Sequence, residues 1–183
     1  IFVIVFVAIC IAIVQFSKKD LEEAKKGLEE TQRKYGWVEK ENIDVLVAKF
    51  NTQVMDNDSS SLNPASTDYL TESNNEYWYG LIEGVYLVVV PEKYTGDKTT
   101  ETVKYTFLYV DKTSKYESDA ISYIKHLIKA NNSEITDSEI DKLLEDAKTK
   151  TNSGKTANNG KGISIGYTEN NEAYQYQVLR LYK

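Results

Sequence analysis

The chain has 183 residues, 27% of them charged, with 28 Asp and Glu against 22 Lys and Arg and a formal net charge of −6. Phosphate recognition needs a basic face, so this balance excludes nucleic acid as the natural partner. A single cysteine, Cys10, cannot pair within the chain, and with one histidine, His126, a zinc centre of the Cys/His kind is excluded too. No metal and no cofactor is expected.

The first element is an apolar run, Ile1 to Phe16 (IFVIVFVAICIAIVQF). As a helix its 16 residues reach roughly 24 Å, somewhat short of a hydrocarbon core of about 30 Å. The run opens on Ile rather than Met, so residues upstream of Ile1 are expected to complete a transmembrane anchor over 1–17. Gln15-Phe16-Ser17-Lys18-Lys19 offers no small-residue cleavage site. Cys10, set between Ile9 and Ile11, lacks the polar surroundings of a lipidation signal. A buried core helix without a polar face would need protein on all sides. The lipid bilayer is therefore the expected partner of residues 1–16. Lys18 and Lys19 alone favour a cytoplasmic C-terminal side. The acidic remainder, rich in Tyr, Asn, Ser and Thr, points instead to a single-pass cell-membrane protein whose soluble domain lies outside the cytoplasm.

Residues 18–36 form a charged helical stalk. Glu22/Lys26, Glu29/Arg33 and Glu30/Lys34 stand at i,i+4 in the favourable order of sign. Leu21, Leu28 and Tyr35 recur every seven residues, but Gly27 interrupts them and the intervening positions are polar, so a solvated helix fits better than a coiled coil. Residues 37–183 then make one soluble domain, large enough to bury its own core.

Within it, Ile43, Leu46, Val47, Phe50 and Val54 place one apolar stripe on a helix over 39–54. A long polar loop follows. Asp56 and Asp58 open it like a calcium loop, but Ser61 and Thr67 stand where the sharp-turn Gly and the bidentate Glu belong. Residues 75–110 are the β-rich heart, with Tyr77-Trp78-Tyr79, the run Val85 to Val90, and alternating Val103, Tyr105, Phe107 and Tyr109. A two-residue turn at Gly96-Asp97 would set Val90 opposite Val103, Val88 opposite Tyr105 and Tyr86 opposite Phe107, all on one face. Helical spacing returns over 116–132. Thr136-Asp137-Ser138-Glu139 is a capping box, flanked by Ile135 and Ile140 as a hydrophobic staple. Residues 149–161 read as a mobile loop, whose Gly154-Lys155-Thr156 lacks the opening glycine of a phosphate loop. A hairpin closes the chain: a type I′ turn at Asn170-Asn171 sets Tyr167 opposite Tyr174, Ile165 opposite Tyr176 and Ile163 opposite Val178. The pattern predicts an α+β fold, an antiparallel sheet of 4–5 strands with helices packed on one face and the other face wet.

Catalytic groups are sparse. His126 lies off the Ile121/Ile124/Ile128 stripe and reads as a solvent-facing helical residue. Glu83 and Asp111 are acids at strand ends, where a charge discourages sheet-to-sheet pairing. The aromatics stand out: there are 14 tyrosines. Tyr86, Tyr105, Tyr109, Tyr167, Tyr174 and Tyr176 fit a core by their alternation, whereas Tyr69, Tyr77, Trp78, Tyr79 and Tyr94 are not explained that way. Adjacent strand residues point to opposite faces, so at least one of Tyr77, Trp78 and Tyr79 looks outward, and this triplet is the expected ligand-binding site for protein, peptide or glycan. The layout of one apolar span, a charged stalk and a small acidic module resembles that of many bacterial envelope proteins, in architecture and without a diagnostic motif. A membrane-tethered, non-enzymatic interaction or sensing domain is the expected function. A cell-envelope hydrolase using paired carboxylates is the alternative.

Overall fold

The computed structural model describes residues 39–56, 62–66, 71–73, 75–151, 153 and 155–180, with three isolated helical positions at Glu22, Lys26 and Glu30. The expected anchor, nearly all of the stalk, Trp37, Tyr69 and the Asp58 to Ser61 stretch lie outside the described residues. The chain divides into two units, Ile1–Lys34 and Tyr35–Lys183. Among the described residues no helix is long and apolar enough to cross a membrane.

The second unit is α+β, with three helices and one antiparallel sheet. The helices are α1 (Ile43–Met55), α2 (Glu117–Asn131) and α3 (Asp137–Thr149). The strands are β1 (Thr71–Ser73), β2 (Glu76–Ile82), β3 (Val85–Pro91), β4 (Val103–Asp111), β5 (Ala157–Asn158), β6 (Ile163–Glu169) and β7 (Ala173–Arg180), in the order β1-β2-β3-β4-β7-β6-β5. Seven strands exceed the expected 4–5. The additions are the short edge strands β1 and β5, of 3 and 2 residues, too short to show an alternation.

The stripe expected on the first helix is the one it buries: Ile43, Leu46, Phe50 and Val54 are at most 2% exposed. Phe50 stacks on Tyr123 of α2, ring centroids 6.3 Å apart. Asn51 fastens the polar loop by a reciprocal amide pair: its Nδ2 donates to Ala65 O and its Oδ1 accepts from Ala65 N, both at 2.8 Å. The helices share one core with Tyr77, Tyr79, Leu87, Val89, Leu108, Val110, Tyr174, Tyr176, Val178, Ile163 and Ile165, so they cover a single face of the sheet.

Both expected registers are displaced by two residues. Val90 pairs with Tyr105, Val88 with Phe107 and Tyr86 with Tyr109. In the last hairpin Tyr167 pairs with Tyr176, Ile165 with Val178 and Glu169 with Tyr174. The turns explain the displacement. Between β3 and β4 the chain makes a loop, 92–102, around the buried carboxylate of Glu101, whose Oε1 accepts from the Thr95 and Gly96 amides. Burial alone would raise the Glu101 pKa, but those donors and the Tyr77 hydroxyl pull it below the ordinary glutamate value. Gly96 holds φ +83°, a conformation that a side chain strains. In the last hairpin, Asn170 Oδ1 accepts from Glu172 N and Ala173 N, both at 2.8 Å, and the turn centres on Asn171-Glu172. Among the described residues Asn75 is the only non-glycine with positive φ, so the type I′ turn is absent. An even displacement keeps Tyr86, Val88, Tyr105 and Phe107 on one common face as expected, while the irregularity between Val90 and Pro91 turns Val103 to the core.

The lead-in to α1 is tied across the sheet. Glu41 O accepts from Val103 N at 3.0 Å, Ile43 N donates to Glu101 O at 3.0 Å, and Asn42 bridges Thr102. Beneath them Arg180 of β7 meets Glu41 at 2.7 Å with both side chains buried, and Arg180 also donates to Glu39 O. Arg180→Ala leaves the buried Glu41 carboxylate with Lys49 as its remaining ion-pair partner and should cost about 2 kcal/mol, read as a lower denaturation midpoint at unchanged slope.

At α3 the capping box forms as expected, with Thr136 Oγ1 accepting from Glu139 N and Glu139 accepting from Thr136 N at 2.9 Å. The Thr136 amide, then Lys161, hold Glu139 down to about 2. A depressed carboxylate stabilises fully above its unfolded pKa and loses that contribution as pH falls toward the folded value. Thr136→Ala removes the hydroxyl that caps the Glu139 amide and should cost about 1 kcal/mol, whereas the difference of Glu139→Gln from wild type should close as an acid titration approaches pH 2.

Candidate binding surface

The sheet face away from the helices gathers aromatics from three strands. Alternation along β2, β3 and β4 sends Trp78, Tyr86, Tyr105, Phe107 and Tyr109 to that side, and the ladder sets Trp78, Val88 and Phe107 in one row and Tyr86 beside Tyr109. Trp78 is the hub: its ring lies 5.9 Å from Phe107 at 89°, 6.0 Å from Tyr86 and 5.6 Å from Tyr109. Such edge-to-face pairs add about 0.5–1.5 kcal/mol beyond their burial. Val88 and Phe107 are buried yet lie outside the helix-covered core, so they floor a second, smaller apolar layer. Trp78, Tyr86, Tyr105 and Tyr109 rim it, each half-buried.

The next strands continue the face with amides and hydroxyls. Gln177 stands opposite Gly166, Gln175 opposite Thr168, and Leu179 opposite Ser164. Acids mark the two ends. Glu76 accepts from the Trp78 indole Nε1 at 3.2 Å. Asp111 continues the outward alternation of β4 and lies beside the Tyr109 hydroxyl, which burial and then that carboxylate push above the ordinary tyrosine value. Tyr109, Thr168 and Gln175 line a shallow depression of about 180 Å³. Tyr86, Glu83, Asp111, Thr113 and Ser114 line another of about 350 Å³. Gly84, at φ +75°, closes the β2–β3 turn against Ser114, where a Cβ would stand 2.9 Å from the serine Cβ.

Of the expected triplet, only Trp78 belongs to this surface. Tyr77 and Tyr79 are 0% and 1% exposed beneath the helices, and Tyr94 packs on Tyr77 at 5.6 Å. The six tyrosines read as core divide likewise: Tyr174 and Tyr176 are core, Tyr167 packs against it, and Tyr86, Tyr105 and Tyr109 are on the open face. The central strands thus depart from the expectation of one packed and one wet face. The polar outward side of the final hairpin marks which side the helices leave uncovered, and pairing β7 with β4 carries that assignment to the aromatics.

The titratable groups do not assemble elsewhere. His126 is half-buried on α2, and burial with the nearby Lys129 lowers its pKa; it is not the solvent-facing residue expected. Glu83 and Asp111 do share a depression, but the Glu83 side chain is 81% exposed and 3.8 Å from Lys115. A polar cleft of about 510 Å³ lies between α1 and the α2–α3 turn, and its lysines are engaged, Lys49 by Glu41 at 2.5 Å and Lys129 by Asp137 at 2.7 Å. Among the described residues no group of three or more His, Cys, Asp or Glu could hold a metal ion. No protein-family model matches the chain, and neither a curated protein nor a solved structure matches it.

Asp111 raises Tyr109 by charge and hydrogen bonding on top of burial. Asp111→Asn should bring the Tyr109 phenol part of the way back toward 10, checked by ultraviolet or NMR titration of the tyrosines against a Tyr109→Phe control.

Proposed function

We propose that the chain is a membrane-tethered interaction or sensing module, outside the cytoplasm, whose contact surface is the open aromatic face of the sheet. The observation that carries this reading is the cluster of Trp78, Tyr86, Tyr105, Phe107 and Tyr109 opposite the helices. Tryptophan and tyrosine give large contacts with a polar tip at little entropic cost, which suits recognition. The apolar run 1–16 supports the tether, and the charged segment 18–36 supports a spacer between tether and domain.

The hydrolase alternative draws less support. A carboxylate acting as general acid is held protonated by burial, and Glu83, its best candidate beside Asp111, is 81% exposed.

A photoreactive phenylalanine analogue at position 105 of the full chain should give adducts in intact cells that the same analogue at position 142, on the exposed side of α3, does not. Equal adducts at both positions, or none at 105, would overturn the contact surface. The full chain should stay with membranes through alkaline carbonate extraction and be cut by protease added outside the cells. Release by carbonate removes the tether, and protection from protease removes the orientation.

A further inference from the structure

The open face has a chemical pattern more specific than aromaticity. Its outward positions run from Trp78 through Tyr86, Val88 and Val90, Tyr105, Phe107 and Tyr109, to Gln175, Gln177 and Leu179, and end on Ser164, Gly166 and Thr168. None of these carries a charge, in a chain that is 27% charged. The charges stand at its margins and are mostly acidic: Glu76 beside Trp78, Asp111 beside Tyr109, Glu169 paired with Lys112 and Glu83 with Lys115, with Lys104 Nζ 5.9 Å over the Tyr105 ring. A nucleic acid or an anionic bilayer would find no basic row along this face. A basic peptide would find carboxylates only at the margins, with an uncharged span between.

A neutral sugar chain fits each part of this surface. A pyranose ring has an apolar C–H side that stacks on an aromatic ring, and a rim of hydroxyls that must be hydrogen-bonded once they leave water. Tyr86 and Tyr109, with ring centroids 6.2 Å apart, stand between the two depressions. Each holds uncharged hydrogen-bonding groups, Thr168 and Gln175 in one and Thr113 in the other, beside charged neighbours, Glu169 in the first and Glu83, Asp111 and Lys115 in the second. A chain longer than one sugar would span from one depression to the other across the two tyrosines.

We propose that this face binds a neutral glycan chain, with sugar rings over Tyr86 and Tyr109 and hydroxyls served by Gln175 and Thr168 on one side and Thr113 and Asp111 on the other. The proposal rests on the contact-surface reading above and names its partner.

The test is titration of the full chain, in a detergent without a sugar headgroup, with the β1,4-linked glucose hexamer and the β1,4-linked N-acetylglucosamine pentamer, followed by calorimetry and by Trp78 fluorescence in a Trp37→Phe background. At least one of the two should bind. Tyr109→Ala and Gln175→Ala should each weaken binding tenfold or more, and Lys142→Ala should not. Far-ultraviolet circular dichroism and the thermal midpoint establish that each variant is folded; if Tyr109→Ala is not, Gln175→Ala and Thr168→Val decide alone. Binding unchanged in the folded face variants overturns the proposal, as does failure of both sugars. If the sugars fail while adducts at position 105 persist and contain a protein, the contact surface stands with a protein partner and the glycan assignment falls. If both fail, both readings fall.

Discussion

Strand β3 is apolar on both sides, and the arrangement of the domain follows from that. Leu87 and Val89 sink beneath the helices, while Val88, pointing the other way, is 0% exposed between Trp78 and Phe107. A central strand apolar on both faces needs two covering layers. The helices supply one. Side chains of the flanking strands supply the other, because aromatics are wide enough to close over a valine from neighbouring positions. The cluster on the open face is thus a structural cover first, and its rim is left available for contact only because the floor beneath is already filled.

That origin has a bearing on recognition. Rings held edge-on to one another by a seven-stranded sheet lose little freedom when a partner arrives, so less of the interaction energy is spent on ordering them. The amide flank is fixed with equal economy. Gly166 has no side chain, and Gln177 lies across its position, with Oε1 3.5 Å from where a Cβ would be. The proposed contact surface lies on strands rather than loops, and a surface on strands keeps its spacing.

The buried faces of the helices were legible in the sequence: the stripe of Ile43, Leu46, Val47, Phe50 and Val54 is the buried one, though its helix begins at Ile43 and not at 39, and Thr136 and Glu139 make the capping box that their spacing announces. Which strand residues share a face was legible by parity except at Val103, which the irregularity between Val90 and Pro91 turns to the core. Register was not, because it is set in the turns. Glu101 folding back under the Thr95 and Gly96 amides, and Asn170 accepting from Glu172 and Ala173, are local hydrogen-bond choices that alternation does not encode. Of the residues expected to bind, only Trp78 lies on the candidate surface. Leu87 and Val89 on one side of β3 and Val88 and Val90 on the other are equally apolar, and hydrophobicity alone cannot say which side the helices will take.

The salt bridge between Glu41 and Arg180 ties the start of the described domain to the far end of its chain, and it does so at the middle of the sheet. Residues Glu41–Ile43 are bonded to the start of β4, and Arg180 ends β7, the strand that pairs with β4. A pull applied through the N-terminal side of the domain would therefore enter at the two central strands, where many backbone bonds share the load, and not at an edge where they would part singly. Were the domain hung from a surface as proposed, that point of attachment would resist unzipping.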